Sequence, residues 1–263
     1  MRTLVFSDVH LDVTERGRDR MARFVAFLRS IDPNAVNRVI VLGDLFDFWF
    51  EYRHVAFSGY FDVLRVFADL RDAGVELHFF CGNHDFWAGR FLREQLGFAV
   101  HTEPATLAFG TRRVLLCHGD GLNPRDADYR VYKRIARSAL ARWLFGKLHP
   151  DRAMGLALRV SRTSRRATEA PEPGGGPEVN ALEAYARGVL ASGGADVVML
   201  GHSHHPVRKE YPAPGGTGLY VNTGDWIWHQ SFVEWDGEDF LLRELGAKTA
   251  AEQVADPEAP QPI

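Results

Sequence analysis

The sequence predicts an α/β fold in which two β-sheets pack face to face beneath outer helices, with a helical insertion near the middle. Three observations predict it. Short continuous apolar runs alternate with stretches of helical period, and each run ends abruptly in a cluster of Asp, His or Asn. The stretch from Gly218 onward loses helical period and becomes Gly-punctuated, as antiparallel strands do. Strands apolar on both faces are covered on both sides, and polar clusters at their carboxyl ends lie where such sheets build sites.

Taken in order, "RTLVFSD" is a strand, and "RDRMARFVAFLRSI" a helix with Met21, Phe24, Val25, Phe27 and Leu28 at helical spacing. "NRVIVLGD" is a second buried strand. The helix over "YFDVLRVFADLRDAG" stops at Gly74, the expected left-handed cap. "VELHFFCGN", "RRVLLCHGD" and "ADVVMLGHS" are further strands. Between the last two, residues 122–192 form a helical insertion: Tyr132, Ala136, Ala139, Leu140, Trp143 and Leu144 recur at three- and four-residue spacing, and the pattern resumes after Pro150. "EAPEPGGGPE" has the composition of a flexible linker. The expected organisation is one domain over 1–246, a cap at about 122–192, and a disordered tail over 247–263, which has little to bury.

A chain of 263 residues, 46% hydrophobic and 25% charged, suits one soluble globular domain. No run approaches the roughly 18 apolar residues of a membrane span, and Leu4–Phe6 is too short for a secretory core. Cys81 and Cys117 close apolar runs, so they read as buried small hydrophobes in a reducing compartment and not as a disulfide. Charge is unevenly placed. Residues 125–166 hold twelve Lys/Arg against three Asp, a balance of +9 that leaves −12 elsewhere in a chain of net −3. Such a segment suits an anionic substrate or surface approached from one side, or else a solvated helix face. The acidic remainder argues against a nucleic-acid partner.

The chemistry-bearing residues are "SDVH" (Asp8, His10), "GDLFD" (Asp44, Asp47), "GNHD" (Asn83, His84, Asp85), "HGD" (His118, Asp120) and "GHSHH" (His202, His204, His205). If strand alternation persists, Asp-x-His and His-x-His place both side chains on one face and turn His205 away from His204. Imidazole, carboxylate and amide oxygen without thiolate suit Mn²⁺, Fe²⁺ or Zn²⁺. One cluster alone would be a turn or a satisfied polar pair; five after apolar strands supply ligands for two metals sharing a carboxylate. Asp47 and Asp120 are expected to orient ligands or to cap turns.

This ordered set resembles the calcineurin-like metallophosphoesterase superfamily over residues 8–205. The resemblance implies a four-layer α/β/β/α sandwich with a dinuclear centre. One metal would be held by Asp8, His10, Asp44 and His204, the other by Asp44, Asn83, His118 and His202, with Asp44 bridging. It also implies that His84 is a general acid or transition-state stabiliser, and Asp85 would orient it.

"HGDGLNPRDADYRVYKRIARS", "RVSRTSRR" and "NTGDWIWHQSFVEWDG" further resemble the bacterial UDP-2,3-diacylglucosamine diphosphatase family of lipid A biosynthesis. That resemblance implies cleavage of the diphosphate to UMP and 2,3-diacylglucosamine 1-phosphate. It implies two divalent ions, Mn²⁺ first with Fe²⁺ and Zn²⁺ compatible, and a cap that takes the acyl chains. Asp126, Tyr129, Ser161, Arg162 and Arg165 fall where cap residues meet substrate, and Ala141–Phe145 either lines an acyl cleft or packs within the cap. A cytoplasmic protein touching the inner membrane surface, without an obligate protein partner, is the corresponding expectation. The best-known members of the lipid family carry Arg in place of His84. The His also allows ordinary phosphodiester or phosphomonoester hydrolysis, because an alkoxide leaving group gains more from protonation than a phosphate does. A non-enzymatic scaffold would be expected to have lost ligands, and all seven are present.

Overall fold

The computed structural model describes residues 2–156 and 176–246. Its strands are β1 (Arg2–Phe6), β2 (Val36–Leu42), β3 (Glu76–Phe80), β4 (Ala99–His101), β5 (Ala105–Phe109), β6 (Arg112–Leu116), β7 (Val197–Leu200), β8 (Val207–Ala213), β9 (Gly216–Asn222), β10 (Ser231–Trp235) and β11 (Phe240–Glu244). The helices are α1 (Arg18–Arg29), α2 (Phe61–Asp72), α3 (Arg90–Glu94), α4 (Ala127–Ala136), α5 (Ala139–Phe145) and α6 (Pro177–Ala191). Residues 150–156 are also helical.

One sheet has the order β11-β10-β1-β2-β3-β4, the other β5-β6-β7-β9-β8. Within them β1 to β4 are parallel, as are β6, β7 and β9. The apolar runs divide by alternation. Val39 and Val41 of β2 join Phe24, Leu28, Val63 and Phe67 of α1 and α2 in an outer core. Ile40 and Leu42 face inward, against Val114, Leu116, Val197 and Met199 of the second sheet. Val198 and Leu200 turn the other way, onto Leu182, Ala186 and Leu190 of α6. Each fully buried side chain of this kind stabilises by about 1.5–3 kcal/mol, and the three cores give the four layers α/β/β/α.

One expectation changes in detail. Helix α6, counted within the insertion at about 122–192, forms the outer layer of the second sheet, because its Leu182, Ala186 and Leu190 are buried there. By contrast α4 and α5 bury no residue. The expected tail, 247–263, and Ser161, Arg162 and Arg165 lie outside the described residues. Gly74 ends the turn after α2 with φ +89°, as expected, and Cys81 and Cys117 are buried free thiols.

Candidate metal centre

All five polar clusters follow the carboxyl ends of strands β1, β2, β3, β6 and β7, so the parallel core delivers them to one rim. The expected mechanism of convergence needs correction. The strands end at Phe6, Leu42 and Leu200, before the functional residues, and the backbone then turns left-handed. Asp8 (φ 52°), His10 (48°), Asp44 (52°), His202 (69°) and His204 (54°) all occupy this region. An L-residue pays roughly 1–2 kcal/mol there, so five such residues in one rim mark a strained site held by its surroundings. Gly43 (φ +89°) shows how close the packing is: a Cβ there would fall on the His118 ring.

The side chains form three overlapping groups, Asp8–His10–His204, His10–Asp44–His84 and Asp8–Asp44–His118, each with donor atoms within 4.8 Å of one another. Asp8 Oδ1 lies 3.3 Å from His204 Nε2 and 3.8 Å from His10 Nε2. Asp44 Oδ2 lies 3.3 Å from His118 Nε2 and 3.9 Å from both His10 Nε2 and His84 Nε2. The two Nε2 atoms of His10 and His204 are 3.2 Å apart, and Asn83 Oδ1 is 3.1 Å from His118 Nε2.

Each carboxylate is oriented through its other oxygen. Asp8 Oδ2 accepts the His202 amide (2.8 Å) and the Ser7 hydroxyl; Asp44 Oδ1 accepts the His84 amide (2.8 Å). Asp8 Oδ1, without a hydrogen-bond partner among the described residues, is left facing the imidazoles. His118 donates Nδ1–H to the Leu42 carbonyl (2.9 Å), which turns Nε2 toward Asp44. A buried acidic pair that presents outward-facing oxygens to imidazole Nε2 atoms is the donor set that divalent cations take. The residues therefore fit the implied metals.

The same crowding shifts proton affinities. Burial pushes the Asp8 carboxyl up, but His118 and His204 outweigh it and hold the group at about 2. Asp44 is likewise pulled well below the carboxylate range against its burial, by His118 and His84. Burial opposes a charge on His118, yet Asp44 and Asp8 raise it to about 10. Burial, then the neighbouring His118, pushes His202 down to about 4.

Among the remaining predicted residues, His84 donates Nδ1–H to the Asp47 carbonyl (2.9 Å) and packs edge-on against His10, with ring centroids 4.8 Å apart. Asp47 Oδ1 lies 3.3 Å from His10 Nδ1, so one residue orients two imidazoles. Asp85 does not orient His84. It is fully buried, and its carboxylate accepts the amides of Gly82 (2.8 Å), Leu45 (2.8 Å) and Asp44 (3.3 Å), tying two site loops together. Burial and then Asp44 push it up to about 7.

His202 lies beside His118, ring centroids 5.1 Å apart, and its Nε2 is 3.5 Å from Glu178 of α6. Glu178 carries no signal in the sequence beyond its place in the first turn of α6. His205 is exposed. Asp126 is the N-terminal flanking residue of α4, without a side-chain cap bond. The Tyr129 hydroxyl, expected to meet substrate, donates to Asp120 (2.9 Å).

A family model for calcineurin-like phosphoesterases matches residues 1–206. The chain belongs to that family. Among curated relatives of this calcineurin-like phosphoesterase is the UDP-2,3-diacylglucosamine hydrolase of Porphyromonas gingivalis, 32% identical, over 93% of this chain and 98% of the relative. The proteins of that name from Aeromonas salmonicida (31%; 86% and 87%) and Edwardsiella ictaluri (29%; 97% and 96%) are similar.

Proposed function

We propose that the chain hydrolyses the diphosphate of UDP-2,3-diacylglucosamine to UMP and 2,3-diacylglucosamine 1-phosphate. The observation that carries this reading is near-full-length similarity to proteins named for that substrate, in a chain whose seven Asp, Asn and His side chains share one rim. Asp8, His10, Asp44 and His204 would hold one divalent ion, and Asp44, Asn83, His118 and His202 a second, with Mn²⁺ the first candidate. The ions would supply Lewis-acid polarisation of the phosphoryl oxygens and a water acidified for attack.

The chain's own groups do the rest. His84, its Nδ1 proton committed to the Asp47 carbonyl, presents Nε2 to the centre and can donate a proton or hydrogen bond to a phosphoryl or leaving-group oxygen. Asp47 keeps His10 and His84 in register. The segment before α6, roughly 122–176, would act as the cap. Val131, Tyr132, Ile135, Leu140, Trp143 and Leu144 are exposed there among Lys and Arg side chains, a surface suited to acyl chains and to an anionic membrane face. Among the described residues no helix is long and apolar enough to cross a membrane. A cytoplasmic protein resting on the inner membrane surface fits that composition.

A second reading, a phosphodiesterase or phosphomonoesterase acting on a nucleotide or small ester, is favoured by His84 itself, whose proton matters most for a poor leaving group. Chromatography and mass spectrometry of products from the Mn²⁺-loaded protein separate the two. UMP and the lipid 1-phosphate are expected; cleavage of simple esters with no turnover of the lipid nucleotide would reject the first reading.

A further inference from the structure

Helix α4 buries no residue, and its apolar Val131, Tyr132 and Ile135 face solvent. Its inner side meets a cavity of about 250 Å³, lined in part by its own Arg130, Lys133 and Arg137 and by His118 and Asp120. Apolar packing therefore does not hold it in place. Polar contacts do: Arg130 donates to the Asn123 and Pro124 carbonyls (2.7 and 3.1 Å), and Tyr129, Lys133 and Arg137 converge on one buried carboxylate. Asp120 Oδ2 accepts the Tyr129 hydroxyl (2.9 Å), pairs with Lys133 Nζ (2.7 Å) and lies 3.6 Å from Arg137. Lys133 also donates to the Asp120 carbonyl (2.9 Å), and Arg137 reaches the Gly82 carbonyl (3.3 Å). Residues 120 and 82 flank the candidate ligands His118 and Asn83, so the same contacts connect the helix to two site loops.

We propose that Asp120 is a positioning residue: a latch that fixes α4 at a set distance from the metal centre through Tyr129, Lys133 and Arg137. The latch is ionic over a cavity, so it can open as a unit without disturbing the three hydrophobic cores. Its bearing on substrate rests on the proposed reading in which α4 borders a two-chain lipid nucleotide; its bearing on α4 itself does not.

The test uses full-length Asp120→Asn, Lys133→Met and, as the conservative rescue, Lys133→Arg. Amide hydrogen exchange in α4 is expected to quicken about tenfold or more in Asp120→Asn and Lys133→Met, with α6 unchanged and Lys133→Arg close to the wild type. With UDP-2,3-diacylglucosamine, KM is expected to rise about tenfold in Lys133→Met with little change in kcat, while cleavage of bis(p-nitrophenyl) phosphate stays the same. Unchanged α4 exchange in both variants would overturn the latch. So would loss of bound Mn²⁺ from Asp120→Asn, which would put Asp120 among the groups that hold the metal. Quickened α4 exchange in a protein that never cleaves the lipid nucleotide would uphold the latch and sink the proposed substrate.

Discussion

Asp85→Asn separates a structural carboxylate from a catalytic one. In the folded chain Oδ1 accepts the amides of Gly82 and Asp44, and Oδ2 accepts those of Leu45 and, at 3.5 Å, Phe46, around a carboxylate with no exposure to water. An amide in its place keeps one acceptor and turns an NH₂ group toward the other set of donors. At least one buried N–H then loses its acceptor. Hydrogen bonds to a charged group contribute about 1.5–3 kcal/mol, and a stranded buried donor costs about 1–3 kcal/mol. Release of a buried charge offsets part of that, so the expected loss is about 2–4 kcal/mol. Urea unfolding at about pH 8.5, above the raised Asp85 value of about 7 so that the carboxylate is ionised, measures it with matched Mn²⁺, and elemental analysis is expected to show reduced metal content because the loop carrying Asp44 loosens. His84→Ala, by contrast, is expected to cost no more than about 1–2 kcal/mol and to leave metal content unchanged, because it removes a ring that is 13% exposed and makes one hydrogen bond. Wild-type stability and metal content in Asp85→Asn, with kcat alone reduced to the level of His84→Ala, would refute the reasoning and restore Asp85 as the partner of His84.

Other perturbations follow from the same geometry. Gly43→Ala combines a left-handed φ with a Cβ that meets the His118 ring; a loss of about 2–4 kcal/mol and weaker metal binding by titration are expected. Phe145 is the aromatic anchor of α5, with ring centroids 5.4, 4.9 and 4.8 Å from Phe48, Phe50 and Trp87. Phe145→Ala should quicken hydrogen exchange in α5 with about 1–3 kcal/mol of local stability lost. Glu183 is held below its usual range by Lys209, then by the Tyr211 hydroxyl. A depressed folded pKa stabilises above the unfolded value, 4.5, and that gain is lost as pH falls through the lower folded value. Wild type should therefore exceed Glu183→Gln by up to about 1 kcal/mol at pH 7, the gap closing toward pH 3 in urea melts.

Much of this was legible in the sequence, because burial on both faces writes a strand as an unbroken apolar run. Five such runs located the rim, and their terminal Asp, Asn and His located the donor set. The cause of convergence was not legible: nothing in Asp8, His10, Asp44, His202 or His204 announces a positive φ, so strand alternation stood in for it. Adjacency in sequence pairs Asp85 with His84. The actual acceptor is the Asp47 carbonyl, a backbone atom that every residue carries. Helix α6 reads in sequence as one more helix of the insertion, although Leu182, Ala186 and Leu190, spaced four apart, describe a buried stripe.

The proposed sharing of Asp44 between two ions is tested most directly by equilibrium dialysis against Mn²⁺ with elemental analysis of the wild type and of Asp44→Ala. Asp44 Oδ2 lies 3.3 Å from His118 Nε2 and 3.9 Å from His10 Nε2, one imidazole of each proposed ligand set, so the wild type should bind two ions per chain and the variant should lose tight binding at both positions. One ion retained at wild-type affinity in Asp44→Ala, or a single ion in the wild type, would contradict a centre built around that carboxylate.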